Sequence, residues 1–152
     1  VEARNALGTR WHEDDLGAEF LLDRGLAPVA TAVMTAPEGR SPLVVAPHVA
    51  AFATGAAEDA TRRLAAHLGP ATVRPDDPVA WAEACSVRQV VAPWAPAGPV
   101  ADRLADIDRA LAARGIRLVR VLRRWDADLW PHATHGFFRF HDKALQWLAA
   151  ER

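Results

Sequence analysis

The sequence predicts an α/β protein: an open, mainly parallel sheet of about four to five strands with helices on both faces. Three observations predict it. Short, Val-rich runs alternate with helical periodicity from residue 43 onward. One stretch, residues 87–125, reads as strand, turn, long helix and strand. The chain has 152 residues, 51% of them hydrophobic, which suits one folded domain with a proper core.

The stretch 87–125 is the best determined. Gly98 and Pro99 stand at the N-cap and first helical positions, where the N–H that proline lacks is not needed. Val100, Leu104, Ile107 and Leu111 then recur on one helical face. Gly115 stands where a left-handed C-terminal cap is expected. The runs on either side, VRQVVAPW and IRLVRVLRRW, are strands by their β-branched content. Two strands joined by a helix make a right-handed parallel crossover.

The other elements follow in order. Residues 1–28 read as a linker or an N-terminal helix, and residues 29–152 as the α/β domain with a C-terminal tail folded over its sheet. The N-terminal helix centres on residues 16–24, with Ala18, Leu21 and Leu22 on its apolar face and Gly25 at its end; Trp11 would anchor this segment to the body. Residues 29–34 are an extended segment, and PEGRSP (37–42) a loop. Leu43, Val44 and Val45 are expected as a buried parallel strand. A helix over 58–68, a short strand over 71–75 and a helix from the Asp77–Pro78 cap through Ala84 complete the series.

Several function classes find no residues to carry them. The turn after Val45 holds no G-x-G-x-x-G, and neither a P-loop nor a G-x-S-x-G elbow occurs. The single Cys85, in WAEAC, excludes an intrachain disulfide and a cysteine metal site, and reads as an inert buried thiol. His132, His135 and His141 lie close together beside Asp142, but at no ligand spacing, so no metal is expected. Eighteen basic against nineteen acidic side chains leave a net charge of −1, which argues against a surface built wholly for nucleic acid. Arg114, Arg117, Arg120, Arg123 and Arg124 divide between two strand faces and read as a solvated edge. No apolar run is long enough to span a membrane and no signal peptide is recognisable, so a cytoplasmic location is expected.

Open α/β sheets hold ligands beyond the carboxyl ends of their strands. That rule selects His48, Arg74, Asp76, Trp94 and Trp125 as candidate cofactor-binding residues. No catalytic residue is assigned. Six Trp and no Tyr is an uneven aromatic balance. Trp94, Trp125 and Trp130 serve either as packing or as an aromatic wall for a flat ligand or a domain interface.

Residues 87–143 resemble the end of the α/β (antenna-type, Rossmann-like) domain of DNA photolyases and cryptochromes. The matching pieces are Trp94-Ala95-Pro96, the helix that follows, Arg114-Gly115-Ile116, then Thr134-His135-Gly136-Phe137-Phe138-Arg139-Phe140 and Lys143. The tail HATHGFFRF also looks like the ending of a group of photolyase-related flavoproteins. The resemblance covers about a third of the chain, in short words. It implies a domain of a flavoprotein acting in light-dependent DNA repair or photoreception. Such a domain carries an antenna chromophore of flavin or pterin type, or acts as a scaffold, and does not catalyse by itself. FAD belongs to a helical domain absent from this chain, which is the implied partner in the same or a separate polypeptide. DNA would be met only indirectly. In most members this domain begins the protein, whereas here the matching segment ends the chain. The alternative is a stand-alone Rossmann-like module binding a nucleotide or a protein without photochemistry.

Overall fold

The computed structural model describes residues 7–17, 19–68, 71–73 and 77–150. Five strands form the sheet: β1 (Leu7–His12), β2 (Ala30–Met34), β3 (Ala71–Val73), β4 (Gln89–Pro93) and β5 (Arg117–Val121). All neighbours are parallel and the order is β3-β2-β1-β4-β5. The predicted α/β class with an open parallel sheet is therefore the observed one. Parallel strands need crossovers, and helices supply them on both faces.

One face carries α4 (Pro78–Ala84) and α5 (Pro99–Ala112). Ala82, Val100, Leu104, Ile107 and Leu111 of these helices pack with Met34, Val90, Ala92 and Leu118 of the sheet. The other face carries α1 (Glu19–Leu22), α2 (Pro47–Arg63) and α3 (Ala65–Leu68). There Phe20, Leu21, Ala57, Ala60 and Leu68 close over Leu7, Trp11, Val33, Val91 and Val121. The predicted α5 stripe is the buried stripe, and Gly115 takes the positive φ of 70° expected of it. Asp77 caps α4 as its sequence proposes: its Oδ1 accepts from the N–H groups of Val79 (2.7 Å) and Ala80 (3.1 Å).

Four expectations need correction. Residues 7–12 are neither linker nor helix but the central strand, so the α/β body begins at or before Leu7 instead of at residue 29. A strand buried on both faces accepts Gly8, Thr9, Arg10 and His12 because each is enclosed by neighbouring elements, which composition does not reveal. Residues 43–45 are not a strand. Leu43 is 77% and Val44 99% exposed, and the Leu43 N–H bonds Ser41 Oγ (3.0 Å) in a local turn. Third, the helix expected over 58–68 starts earlier, at Pro47, and breaks near Leu64 before α3. Finally, the last strand ends at Val121, so Arg123 and Arg124 share no strand face with Arg117 and Arg120. Arg120 instead pairs with Asp108 (3.7 Å).

The chain divides into two compact units between Val121 and Leu122. The second unit contains α6 (Arg124–Leu129), a 3-10 turn (Trp130–His132) and α7 (Phe137–Ala150). Trp147 Nε1 donates to Asp128 Oδ2 (2.9 Å), tying α7 to α6. Phe137 meets Phe138 edge-on at 5.7 Å.

Candidate functional site

The strand order reverses at β1. The chain steps from β1 to β2 and β3 on one side, then crosses back to β4 and β5 on the other. Such a switch point leaves a crevice at the carboxyl ends of the two central strands, because their outgoing loops turn in opposite directions. β1 and β4 pair from Leu7–Gln89 to Thr9–Val91, and the paired register ends there.

β1 supplies the polar groups at this place. Its alternation sends Leu7, Thr9 and Trp11 to the α1/α2 face and Gly8, Arg10 and His12 to the α4/α5 face. On the first face, Trp11 Nε1 donates to Thr9 Oγ1 (3.2 Å), and that hydroxyl donates to the Val91 carbonyl (3.0 Å). The Trp11 ring meets Phe20 edge-on at 6.5 Å. Both polar atoms are therefore satisfied inside the core.

On the second face the accounting is incomplete. His12 Nε2 lies 3.2 Å from the Pro93 carbonyl oxygen. A carbonyl only accepts, so Nε2 carries the proton, and buried Nδ1 is left without a donor among the described residues. Burial pushes the imidazole below its usual pKa, against the opposing pull of the Pro93 carbonyl and of Asp14, Asp15 and Glu13. Arg10 is 3% exposed, and its Nε and Nη1 have no acceptor among the described residues. Burial, and then Arg103 of α5, lower its pKa from the ordinary guanidinium value to about 10.

Beyond β2, Thr35 leads into a 3-10 turn (Pro37–Arg40). Arg40 fixes this turn to the end of β1: its Nε donates to Glu13 Oε1 and its Nη2 to Asp14 Oδ1, both at 3.0 Å. Between the turn and the start of α5 lies an open cleft of about 470 Å³, lined by Thr35, Ala36, Glu38 and Gly39 on one side and by Pro99, Asp102, Arg103 and Asp106 on the other. Thr35 is 7% exposed, and its Oγ1 has no partner among the described residues. Gly98 caps α5 without a side-chain bond, at a φ of 147°. Comparison of the chain with protein-family models, with curated proteins and with solved structures finds no match in any of the three. Chemistry at the cleft is therefore read from its own atoms.

Of the residues selected from sequence, His48, Trp94 and Trp125 are among the described residues. His48 is exposed in the first turn of α2, because the strand expected to precede it is a loop. Trp94 follows β4, is 37% exposed, and gives its backbone N–H to the Val121 carbonyl (2.9 Å). Trp125 belongs to α6 in the second unit, where it lines an aromatic groove with Leu129, Trp130 and Phe140. Neither His48, Trp94 nor Trp125 lines the cleft beside α5. Arg74 and Asp76 lie outside the described residues. Sequence reasoning missed Arg10, His12 and Thr35. A signal existed: polar residues alternate with Leu7 and Trp11 directly before the acidic run Glu13-Asp14-Asp15.

Among the described residues, no three His, Cys, Asp or Glu side chains gather as a metal site. In the loop before α7, Thr134 Oγ1 lies 2.8 Å from His135 Nδ1, and within α7 His141 Nδ1 lies 3.7 Å from Asp142 Oδ1. No helix among the described residues is long and apolar enough to cross a membrane.

Proposed function

We propose that this chain is the ligand-holding α/β module of a photolyase-related flavoprotein, binding a chromophore of flavin or pterin type at the carboxyl ends of β1, β2 and β4. The observation that supports ligand binding is the set of buried polar atoms on Arg10, His12 and Thr35 that have no partner among the described residues. Buried polar groups are nearly always satisfied, and a vacancy in that accounting marks a place where something else bonds. The photolyase-type assignment is supported by the resemblance of residues 87–143. On this reading the module does not catalyse by itself. It holds its ligand and serves a helical FAD-binding domain, in light-dependent DNA repair or photoreception.

The strand order favours a second reading, because open parallel sheets with a central switch point also hold nucleotides. A stand-alone nucleotide-binding module would then need no photochemistry. One experiment separates the two. The chain is purified in dim light, its absorption spectrum is recorded, and flavin mononucleotide, a reduced folate and adenosine monophosphate are offered by equilibrium dialysis. Retention of a flavin or folate, with its near-ultraviolet or blue band, is the expected result. Binding of the adenine nucleotide with no affinity for either chromophore would overturn the first reading in favour of the second.

A further inference from the structure

We propose that the cleft between the 3-10 turn and α5 is an anion site that takes a phosphate monoester, with the Arg10 guanidinium as its counter-charge and the Thr35 hydroxyl as a hydrogen-bond donor. This inference rests on the ligand-binding reading above and names the chemical group bound there.

Two buried side chains carry it independently. Thr35 lines the cleft, is 7% exposed, and has no bond at Oγ1 among the described residues. Arg10 is 3% exposed, and its Nε and Nη1 have no acceptor among the described residues. Arginine stays ionised at every physiological pH, so this is a buried cation awaiting an anion. Its location follows from the fold. Arg10 pairs in register with Ala32, three residues before Thr35 on the neighbouring strand, and faces α5. Arg103, whose charge acts on Arg10, is itself a lining residue of the cleft. Arg10 therefore lies in the layer between the sheet and the helix that walls the cleft.

The helix adds donors. Pro99 has no N–H, and the Asp102 N–H is the one that bonds back to Gly98, so the amides of Val100 and Ala101 precede the first intrahelical bond. On this proposal the anion takes the Thr35 hydroxyl from the cleft lining and these amides from the start of α5, with the guanidinium as the counter-charge behind them. A tetrahedral phosphate, with three terminal oxygens, meets such a set better than a planar carboxylate does. Glu38, Asp102 and Asp106 also line the cleft, but all three are exposed at its rim, and Asp106 is paired with Arg109. Solvent and salt screen those charges, whereas Arg10 is covered.

The test uses the whole chain. Thermal melts are run in sodium phosphate against sodium chloride at equal ionic strength, and the phosphorus NMR line of inorganic phosphate is followed. Adenosine monophosphate and flavin mononucleotide form two further arms, with adenosine and riboflavin as controls. We expect a saturable rise in melting temperature, roughly 3–6 °C at about ten times the dissociation constant, with broadening of the phosphate line. Arg10→Met should abolish both, and Thr35→Val should weaken binding by about three- to tenfold. The arm that binds tightest identifies the phosphate's carrier.

No saturable effect of any of the three phosphates on the wild-type chain overturns the proposal. So does an effect unchanged in Thr35→Val and Arg10→Met; if the Arg10 variant does not fold, Thr35→Val decides alone. Phosphate binding without chromophore binding would keep the anion site and remove the photolyase-type reading. Riboflavin binding as tight as that of its phosphate would do the reverse.

Discussion

Replacing Arg10 by methionine should make the ligand-free protein more stable. Arg10 is only 3% exposed, and methionine has a similar reach without a charge. Burial, and then Arg103, hold the guanidinium at about 10, well below its ordinary value. At about 1.4 kcal/mol per pKa unit, the folded state carries this charge at a cost of about 3 kcal/mol. The sign follows from proton binding. The folded pKa lies below the unfolded one, so the unfolded chain binds the proton more tightly, and the whole cost is present at every pH below about 10. A lost charge of this kind should raise the melting temperature by roughly 6–12 °C for a chain of this size. The assay is urea unfolding followed by tryptophan fluorescence at neutral pH, in buffer free of phosphate. Equal slopes with a higher midpoint are expected. A variant less stable than wild type would refute the reasoning, because it would mean that the guanidinium is held by bonds worth more than its desolvation. Adding phosphate should then narrow the gap, since only the wild-type chain has the cation to bind it.

Other consequences can be checked with the same unfolding assay. Leu104→Asp places a carboxylate between α5 and the sheet, where Leu104 is fully buried; it should cost several kcal/mol, of the order of 3–5, and near-normal melting would contradict the packing. Gly8→Val should destabilise by about 1–3 kcal/mol, because even a Cβ there meets Trp81 Cη2 at 3.1 Å and Val87 Cγ1 at 3.2 Å. Gly98→Ala should cost about 1–2 kcal/mol through its φ of 147°, with no change in the space around it. Burial holds His12 below its ordinary 6.5, so the unfolded chain is protonated first on acidification. Stability from this residue is complete above 6.5 and falls below it, by up to about 1.4 kcal/mol per pH unit, until the folded imidazole titrates. Urea midpoints from about pH 8 to about pH 5 should show this slope in the wild type and a shallower one in His12→Gln.

How far the fold can be read depends on where polarity falls. β4, α5 and β5 are legible because Val90, Val91, Leu118 and Val121 mark the strands, while the Gly98-Pro99 pair and Gly115 punctuate the helix. β1 is not, although it is the centre of the sheet. Thr9 is buried through a bond to the Val91 carbonyl, and His12 through a contact with the Pro93 carbonyl, both more than eighty residues away in sequence. Nothing local announces such partners. The run 43–45 misleads for the opposite reason: three apolar residues imitate a buried strand, yet they sit in a loop bounded by Pro42 and Pro47. The strand-end rule reaches His48 only through the run 43–45, which is a loop and not a strand. The same rule applied to β1 and β2 leads to His12 and Thr35. Arg10 lies deeper, and only its burial, with Nε and Nη1 lacking an acceptor among the described residues, singles it out.

The short pairing between β1 and β4 makes the sheet resemble an open book. Its spine is the stretch from Leu7–Gln89 to Thr9–Val91, and its leaves are β3-β2-β1 and β4-β5. Past the spine, the contact of the His12 imidazole with the Pro93 carbonyl acts as a clasp between the leaves. A side chain with one proton to give replaces the backbone ladder at the place where the pages begin to part. Each leaf keeps its own ladder, β1 with β2 and β4 with β5, out to its carboxyl end. Widening at that end therefore strains one imidazole contact and leaves the ladders within the leaves intact.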